Sequence, residues 1–310
     1  MIYSIIQNNN NNNLQDNRLV KRFCESYSES EPTALSSSSA FLKSSRKKKD
    51  HLLICYAVAG YPDIDTTKEI ISIMIRAGAD IIEIGVPFSD PIADGPIIQE
   101  ASYLALQKGI TPDKSLEIAK DIRKEFPKTP IVLMTYSNIL SKAGFNKFIK
   151  KAKQCGVDGF ILPDMSIEES DKYVKEASQL NLATIFLVSP NTNGDRLHAI
   201  ASKSSGFLYL VSVYGTTGIR KSFEDSTASY IKNTKRTIGS SLPVAVGFGI
   251  SKPEHAKFMI NAGADAIIVA SAIINMMKIY TSDIKNTKKK KEMMKSVSNF
   301  VSAMKSACRV

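Results

Sequence analysis

The chain has 310 residues, 43% of them apolar, and a formal net charge of +11. That length suits two ordinary domains or one barrel, and the apolar content suffices for a sizeable core. No stretch approaches the apolar length a membrane-spanning helix needs, so the chain reads as soluble, with no membrane partner.

The charge is concentrated at the ends. Residues 1–50 carry eight Lys/Arg against five Asp/Glu, and residues 281–310 carry eight against two, which leaves only +2 for everything between. The aromatic residues do not interleave with the Lys runs as a base-stacking platform requires, so solvated ends are expected rather than a nucleic-acid partner. Cys24, Cys55, Cys155 and Cys308 are scattered, which suggests neither a disulfide framework nor a zinc site. His51, His198 and His255 are the only histidines. That scarcity turns attention from metal or triad chemistry to carboxylates, and no metal is expected.

Residues 1–50 contain an asparagine run (8–13), a serine run (36–39) and the basic string Arg46-Lys47-Lys48-Lys49. Such a composition buries no core, so 1–50 is expected to be a disordered extension and 51–310 the catalytic domain, including a Lys-rich C-terminal helix. A transit peptide would also be Ser-rich and basic. Asp16, Glu25, Glu29 and Glu31 are residues that such peptides avoid, so a cytoplasmic location is expected and organelle import is the alternative.

From His51 onward, short apolar runs alternate with helical patterns. The expected strands are Leu52–Val58, Asp80–Gly85, Ile131–Thr135, Gly159–Leu162, Ala183–Val188, Phe207–Val211, Val244–Gly247 and Ala266–Val269. Their runs are nearly continuous in apolar residues, as in strands buried on both faces. Between them, Thr66-x-x-Glu69, Ser166-x-x-Glu169 and Ser251-x-x-Glu254 have capping-box spacing, and Pro112 after Thr111 suits a first helical turn. Ala77-Gly78-Ala79-Asp80, Cys155-Gly156-Val157-Asp158 and Ala262-Gly263-Ala264-Asp265 each lead into a strand. A repeated helix–turn–strand unit with eight strands in about 230 residues points to a (β/α)8 TIM barrel, with a doubly wound sheet as the runner-up.

Active sites of such barrels lie at the carboxyl ends of the strands. The second strand ends in, and leads on through, the run Glu83-Ile84-Gly85-Val86-Pro87-Phe88-Ser89-Asp90-Pro91-Ile92-Ala93-Asp94-Gly95-Pro96. Glu83 is a carboxylate within an apolar strand. Burial disfavours its charge and fits it to donate a proton near neutral pH, unless it is merely paired at the rim. Asp94 sits in a Pro/Gly-punctuated loop, where Asp is commonly a turn former, and could serve as a second, ionised carboxylate. Gly215–Gly218, Gly247-Phe248-Gly249 and Ala270-Ser271-Ala272 follow the last three strands. Their small residues can offer backbone N–H groups to a phosphate. The residues alone therefore reach a small phosphate ester and carboxylate proton transfer, without naming the substrate.

The run Glu83–Pro96 resembles the signature of tryptophan synthase alpha subunits. The resemblance extends from Leu52 to Ile274 and takes in Gly60-Tyr61-Pro62, Tyr136, Asn138, Pro163-Asp164, Tyr209, Gly215–Gly218 and Gly247-Phe248-Gly249. It implies retro-aldol cleavage of indole-3-glycerol phosphate to indole and glyceraldehyde 3-phosphate, the step before the last in tryptophan biosynthesis. In its terms Glu83 is the acid/base that protonates indole C3 and helps release the glycerol hydroxyl proton. Asp94 hydrogen-bonds the indole N–H and stabilises positive charge on the ring. Tyr56, Ile98, Met134 and Ile161 would enclose the indole, with Tyr136 and Tyr209 also lining the pocket. Gly218, Gly249, Ala270 and Ser271 would lie at the phosphate site, with Gly247 and Phe248 also binding substrate.

Loops Pro87–Gly95 and Val213–Asp225 would close over substrate, with Thr217 meeting Asp94. The implied partner is a beta subunit carrying pyridoxal phosphate, in an alpha2-beta2 heterotetramer, with contacts near Pro87 and Ser137-Asn138; the alpha subunit itself would carry no cofactor. Two positions depart from the pattern. Ala270-Ser271 stands where Gly-Ser is usual, and Tyr56 where Phe is usual. Competing readings are a non-catalytic barrel that only activates a beta subunit, another phosphate-binding barrel, and a nucleic-acid binder using Lys288–Lys291. Intact Glu83 and Asp94 oppose the first, the Glu83–Pro96 run opposes the second, and steep salt dependence would mark the third.

Overall fold

The computed structural model describes residues 14, 16–26, 50–211, 220–281 and 286–309. Eight parallel strands close into a barrel in chain order: β1 (Leu52–Val58), β2 (Ile81–Gly85), β3 (Ile131–Met134), β4 (Gly159–Ile161), β5 (Ala183–Val188), β6 (Leu208–Leu210), β7 (Val244–Val246) and β8 (Ala266–Val269). All eight expected strands are present, with ends within one residue of expectation. Pairing of β8 with β1 decides for the barrel over the open sheet. The principal outer helices after β1 and β2 are α2 (Ile64–Arg76), α3 (Pro96–Gln107) and α4 (Pro112–Glu125). The ring continues with α5 (Ser137–Ala143), α6 (Phe145–Gln154), α7 (Asp171–Gln179), α8 (Gly194–Lys203), α9 (Arg220–Ile238), α10 (Pro253–Asn261), α11 (Ser271–Thr281) and α12 (Thr287–Ala307).

Side chains alternate across each strand, so every strand serves two cores. Leu52, Ile54, Ile81, Val132, Ile161, Ile185, Phe207, Ala245 and Ile268 fill the barrel interior. Leu53, Cys55, Ile82, Ile84, Leu133 and Phe160 face the helices. Met293, Val297, Val301 and Met304 form a buried stripe along α12, so the Lys-rich C-terminal stretch is a docked amphipathic helix.

The three recurring turn units are one device used three times. Gly78, Gly156 and Gly263 end their helices at φ +113°, +86° and +110°, the left-handed region that glycine occupies without penalty. The Asp two residues on then clamps the preceding strand's start in both directions. Asp80 donates its N–H to Leu53 O at 2.8 Å and accepts Leu53 N–H at Oδ2, 2.7 Å. Asp158 does the same with Ile131, and Asp265 with Val244. Each buried carboxylate is also paired with cations: Asp80 with Lys305 and Arg22, Asp158 with Arg123 and Arg18, Asp265 with Lys235. Pairing offsets the cost of burying charge.

Two expectations need correction. First, one short part of the stretch 1–50, residues 16–26, contributes to a core. Helix α1 (Arg18–Glu25), capped by Asn17, lies under the amino-terminal end of the barrel with Leu19 and Phe23 buried in the inner core. Arg22 and Arg18 tie it to Asp80 and Asp158, and Asn17 Nδ2 donates to Asp158 O at 2.7 Å. Second, the capping boxes are displaced. Asp63, not Thr66, caps α2, accepting the Thr66 N–H at 2.8 Å. Ser166 Oγ meets Glu169 at 2.9 Å in a turn ahead of α7, and α10 starts after Lys252 with no side-chain cap. Thr111 caps α4 with Pro112 in its first turn, as expected.

Candidate active site

At the carboxyl ends of the strands a cavity of about 210 Å³ opens into the barrel mouth. Ile81, Glu83 and Gly85 share the inner face of β2, because alternate residues do. Ile81 belongs to the apolar interior, whereas Glu83, one pleat higher, reaches the cavity. Glu83 is 1% exposed, and neither carboxylate oxygen has a hydrogen-bond partner among the described residues. Burial, and then the charge of Asp94, raise its pKa to about 8. It therefore holds its proton at neutral pH.

Asp94 comes from the loop between β2 and α3. The loop is folded back by Asp94 N–H to Pro91 O, 3.1 Å, and by Gln99 Nε2 to Asp94 O, 2.8 Å. Tyr136 Oη donates to Asp94 Oδ2 at 3.1 Å and accepts Ala93 N–H at 3.3 Å. Phe88 stacks on the Tyr136 ring at 4.8 Å between centroids, so both edges of the loop rest on one side chain. Burial raises the Asp94 pKa to about 6, and the Tyr136 hydrogen bond opposes the rise. At neutral pH the cavity thus holds one protonated and one ionised carboxyl group.

The remaining wall is apolar, with small residues on one side. Tyr56, Ile98, Met134, Ile161, Tyr209, Gly247, Phe248, Gly249, Ala270 and Ser271 all line the same cavity as Glu83 and Asp94. Tyr136 was expected there too. Its hydroxyl holds Asp94, and the ring is not among the lining residues. Thr217 and Gly218, with the core of the second expected lid, lie outside the described residues. Sequence reasoning missed Ala93, Gly95, Leu187, Val211, Ile250 and Ile268. Leu187, Val211 and Ile268 each stand two residues beyond an inward-facing residue, so strand alternation would have found them.

Two glycines make room in this wall. A Cβ at Gly85 would overlap Tyr56 Oη, and one at Gly247 would overlap the Tyr209 ring. Gly249 adopts φ +67°, which a side chain would strain. Across the wall, Ala270 O accepts from Ile273 N–H at 3.0 Å and Ile274 N–H at 3.2 Å, placing Ala270 at the start of α11. The first-turn N–H groups of a helix have no partner within it. Beside the Gly247–Gly249 loop they are donors of the kind that an anion accepts.

Fold and cavity together define a (β/α)8-barrel enzyme with paired carboxylates facing a helix amino terminus. The sequence model described as tryptophan synthase alpha chain matches residues 42–309. The tryptophan synthase alpha chain of Methanothermobacter thermautotrophicus is 44% identical over 222 residues, 72% of this chain and 81% of that protein. That of Methanoregula boonei is 40% identical over 261 residues, 84% and 95% of the two chains. Among solved structures, the tryptophan synthase A-subunit of Pyrococcus furiosus superposes with a TM-score of 0.73 at 36% identity, covering 83% of this chain and 98% of that one. A tryptophan synthase complex from the same organism gives 0.72 at 35% identity, covering 83% and 98%. The chain belongs to the tryptophan synthase alpha chain family, carbon–carbon lyases that cleave indole-3-glycerol phosphate to indole and glyceraldehyde 3-phosphate.

Proposed function

We propose that Glu83 and Asp94 carry out this cleavage in the cavity described, and that the phosphate is held by the Gly247–Gly249 loop and the amino terminus of α11. The observation that carries the reading is the pair itself: a protonated Glu83, without a hydrogen-bond partner among the described residues, and a tethered, ionised Asp94 in one pocket. Glu83 gives its proton to indole C3, which leaves a positive charge delocalised to the ring nitrogen. Asp94 accepts the indole N–H and stabilises that charge. The Glu83 carboxylate then takes the proton of the glycerol hydroxyl next to the scissile bond. As that O–H breaks, a carbonyl forms and the carbon–carbon bond to C3 breaks, its electron pair neutralising the ring. The proton lost to C3 equals the proton recovered from the hydroxyl, so Glu83 is regenerated.

Tyr56, Ile98, Met134, Ile161 and Tyr209 supply the apolar wall that the indole ring fills in this reading. Ala270 keeps its N–H for the phosphate despite its methyl group. The reading further includes a tryptophan synthase beta subunit as partner, in an alpha2-beta2 assembly, with pyridoxal phosphate held by beta and no cofactor in this chain. It is supported by the solved complex among the structural relatives and by the loop Pro87–Gly95, whose Ile92 is 80% exposed at the catalytic end. The bacterial and archaeal relatives support a cytoplasmic location.

The test is indole release from indole-3-glycerol phosphate by the full chain, alone and with a tryptophan synthase beta subunit. Release that rises on adding beta supports both parts. Folded protein that releases no indole in either condition overturns the reading.

A further inference from the structure

Each turnover assigned above passes through a Glu83 carboxylate, in a site where neither of its oxygens has a hydrogen-bond partner among the described residues. A buried charge without donors is costly, so a donor that engages only after proton transfer would favour the transition state. Three phenols surround the pair. Tyr136 is committed to Asp94 and Ala93. Tyr209 reaches the cavity from β6, across the barrel from β2, and burial and then the Glu83 charge push its hydroxyl up. Tyr56 is the direct register partner of Glu83 across the β1–β2 ladder.

Tyr56 is 3% exposed and lines the cavity with Glu83. Its hydroxyl occupies the space over Gly85 that a side chain there would fill. Gly85 is the next inward position after Glu83, roughly 7 Å along the strand. Burial, then the charges of Asp94 and Glu83, push the Tyr56 hydroxyl up, so the hydroxyl and the Glu83 carboxyl interact across the cavity. On β3 the neighbours are Val132 and Met134, which do not titrate; Asp94, which accepts rather than donates when ionised, and Tyr209 are the other titratable groups that face Glu83. A phenylalanine at position 56 would keep the wall and lose the donor.

We propose that Tyr56 is a positioning residue for Glu83: its hydroxyl, seated over Gly85, donates to the Glu83 carboxylate once the proton has passed to the indole ring. The inference rests on the proton-transfer role given to Glu83 above.

The experiment compares the full chain with its Tyr56→Phe and Tyr209→Phe variants in indole release across pH, with the beta subunit present. For Tyr56→Phe, kcat falls about tenfold, KM stays within about twofold, and the alkaline limb of the profile moves up by about one pH unit, as expected for losing one hydrogen bond to a charged group. Incorporating 3-fluorotyrosine at position 56, which strengthens the donor and keeps the ring, moves that limb down. A structural role leaves the limb in place. An unmoved limb in Tyr56→Phe, or a shift found only in Tyr209→Phe, overturns the proposal. Activity of the unaltered chain in the same assay separates that outcome from failure of the catalytic reading itself.

Discussion

Tyr136 donates to Asp94 at 3.1 Å, and this bond is the only side-chain hydrogen bond to either carboxylate of the pair among the described residues. It stabilises the ionised form of Asp94 and so opposes the rise that burial imposes. The acidic limb of kcat/KM should therefore reflect Asp94 near pH 6, and the alkaline limb Glu83 near pH 8, giving a bell between them. Tyr136→Phe removes the opposing bond. Its acidic limb moves to higher pH while the alkaline limb stays, which a pH–rate series on the two proteins measures directly.

Glu83 gives a stability prediction of definite sign. Its folded pKa of about 8 lies above the unfolded value of about 4.3, so over that interval the folded chain keeps a proton the unfolded chain has released. This contribution is least harmful below the unfolded pKa and costs stability progressively as pH rises through the folded one. Glu83→Gln cancels the effect. Denaturant titrations should show the variant gaining on the unaltered chain as pH rises from about 4 to about 8, by a few kcal/mol at the upper end.

Ser271 stands in the first turn of α11, against the cavity, where the helix end favours an anion. Ser271→Glu places a charge there that competes with and repels a phosphate. Steady-state kinetics should show KM up by about tenfold or more with kcat changed little, the pattern of lost uniform binding.

The amino-terminal helix gives a prediction remote from the chemistry. Phe23 is 1% exposed and lies 5.7 Å from the Phe207 ring, which in turn lies 6.3 Å from Tyr209. Phe23→Ala should cost about 3–5 kcal/mol of stability and lower Tm measurably. KM for the substrate should change little, since Phe23 does not reach the cavity.

The barrel was legible because its strands are continuous apolar runs, three of them entered through Gly-x-Asp turns, and burial on both faces demands that composition. The pair Glu83 and Asp94 was legible for the opposite reason, as polar residues in an apolar strand and a rigid loop. What escaped depended on long-range packing. Helix α1 is eight residues in a polar stretch, held mainly by the burial of Leu19 and Phe23 and by ion pairs to Asp80 and Asp158, and local pattern does not report such partners. The capping boxes slipped because Ser/Thr-x-x-Glu spacing also arises within and ahead of helices, and Asp63 competes for the same N–H groups. The hold of Tyr136 on Asp94 follows from the fold of the Pro87–Gly95 loop, which the spacing of the two residues along the chain does not encode.

The central claim is that Glu83 moves the protons of the cleavage. The direct measurement is indole release by Glu83→Gln with the beta subunit present, alongside equilibrium binding of indole-3-glycerol phosphate. A loss in turnover of about a hundredfold or more, with binding within a few-fold of the unaltered chain, is the predicted result. Turnover close to that of the unaltered chain would contradict the account.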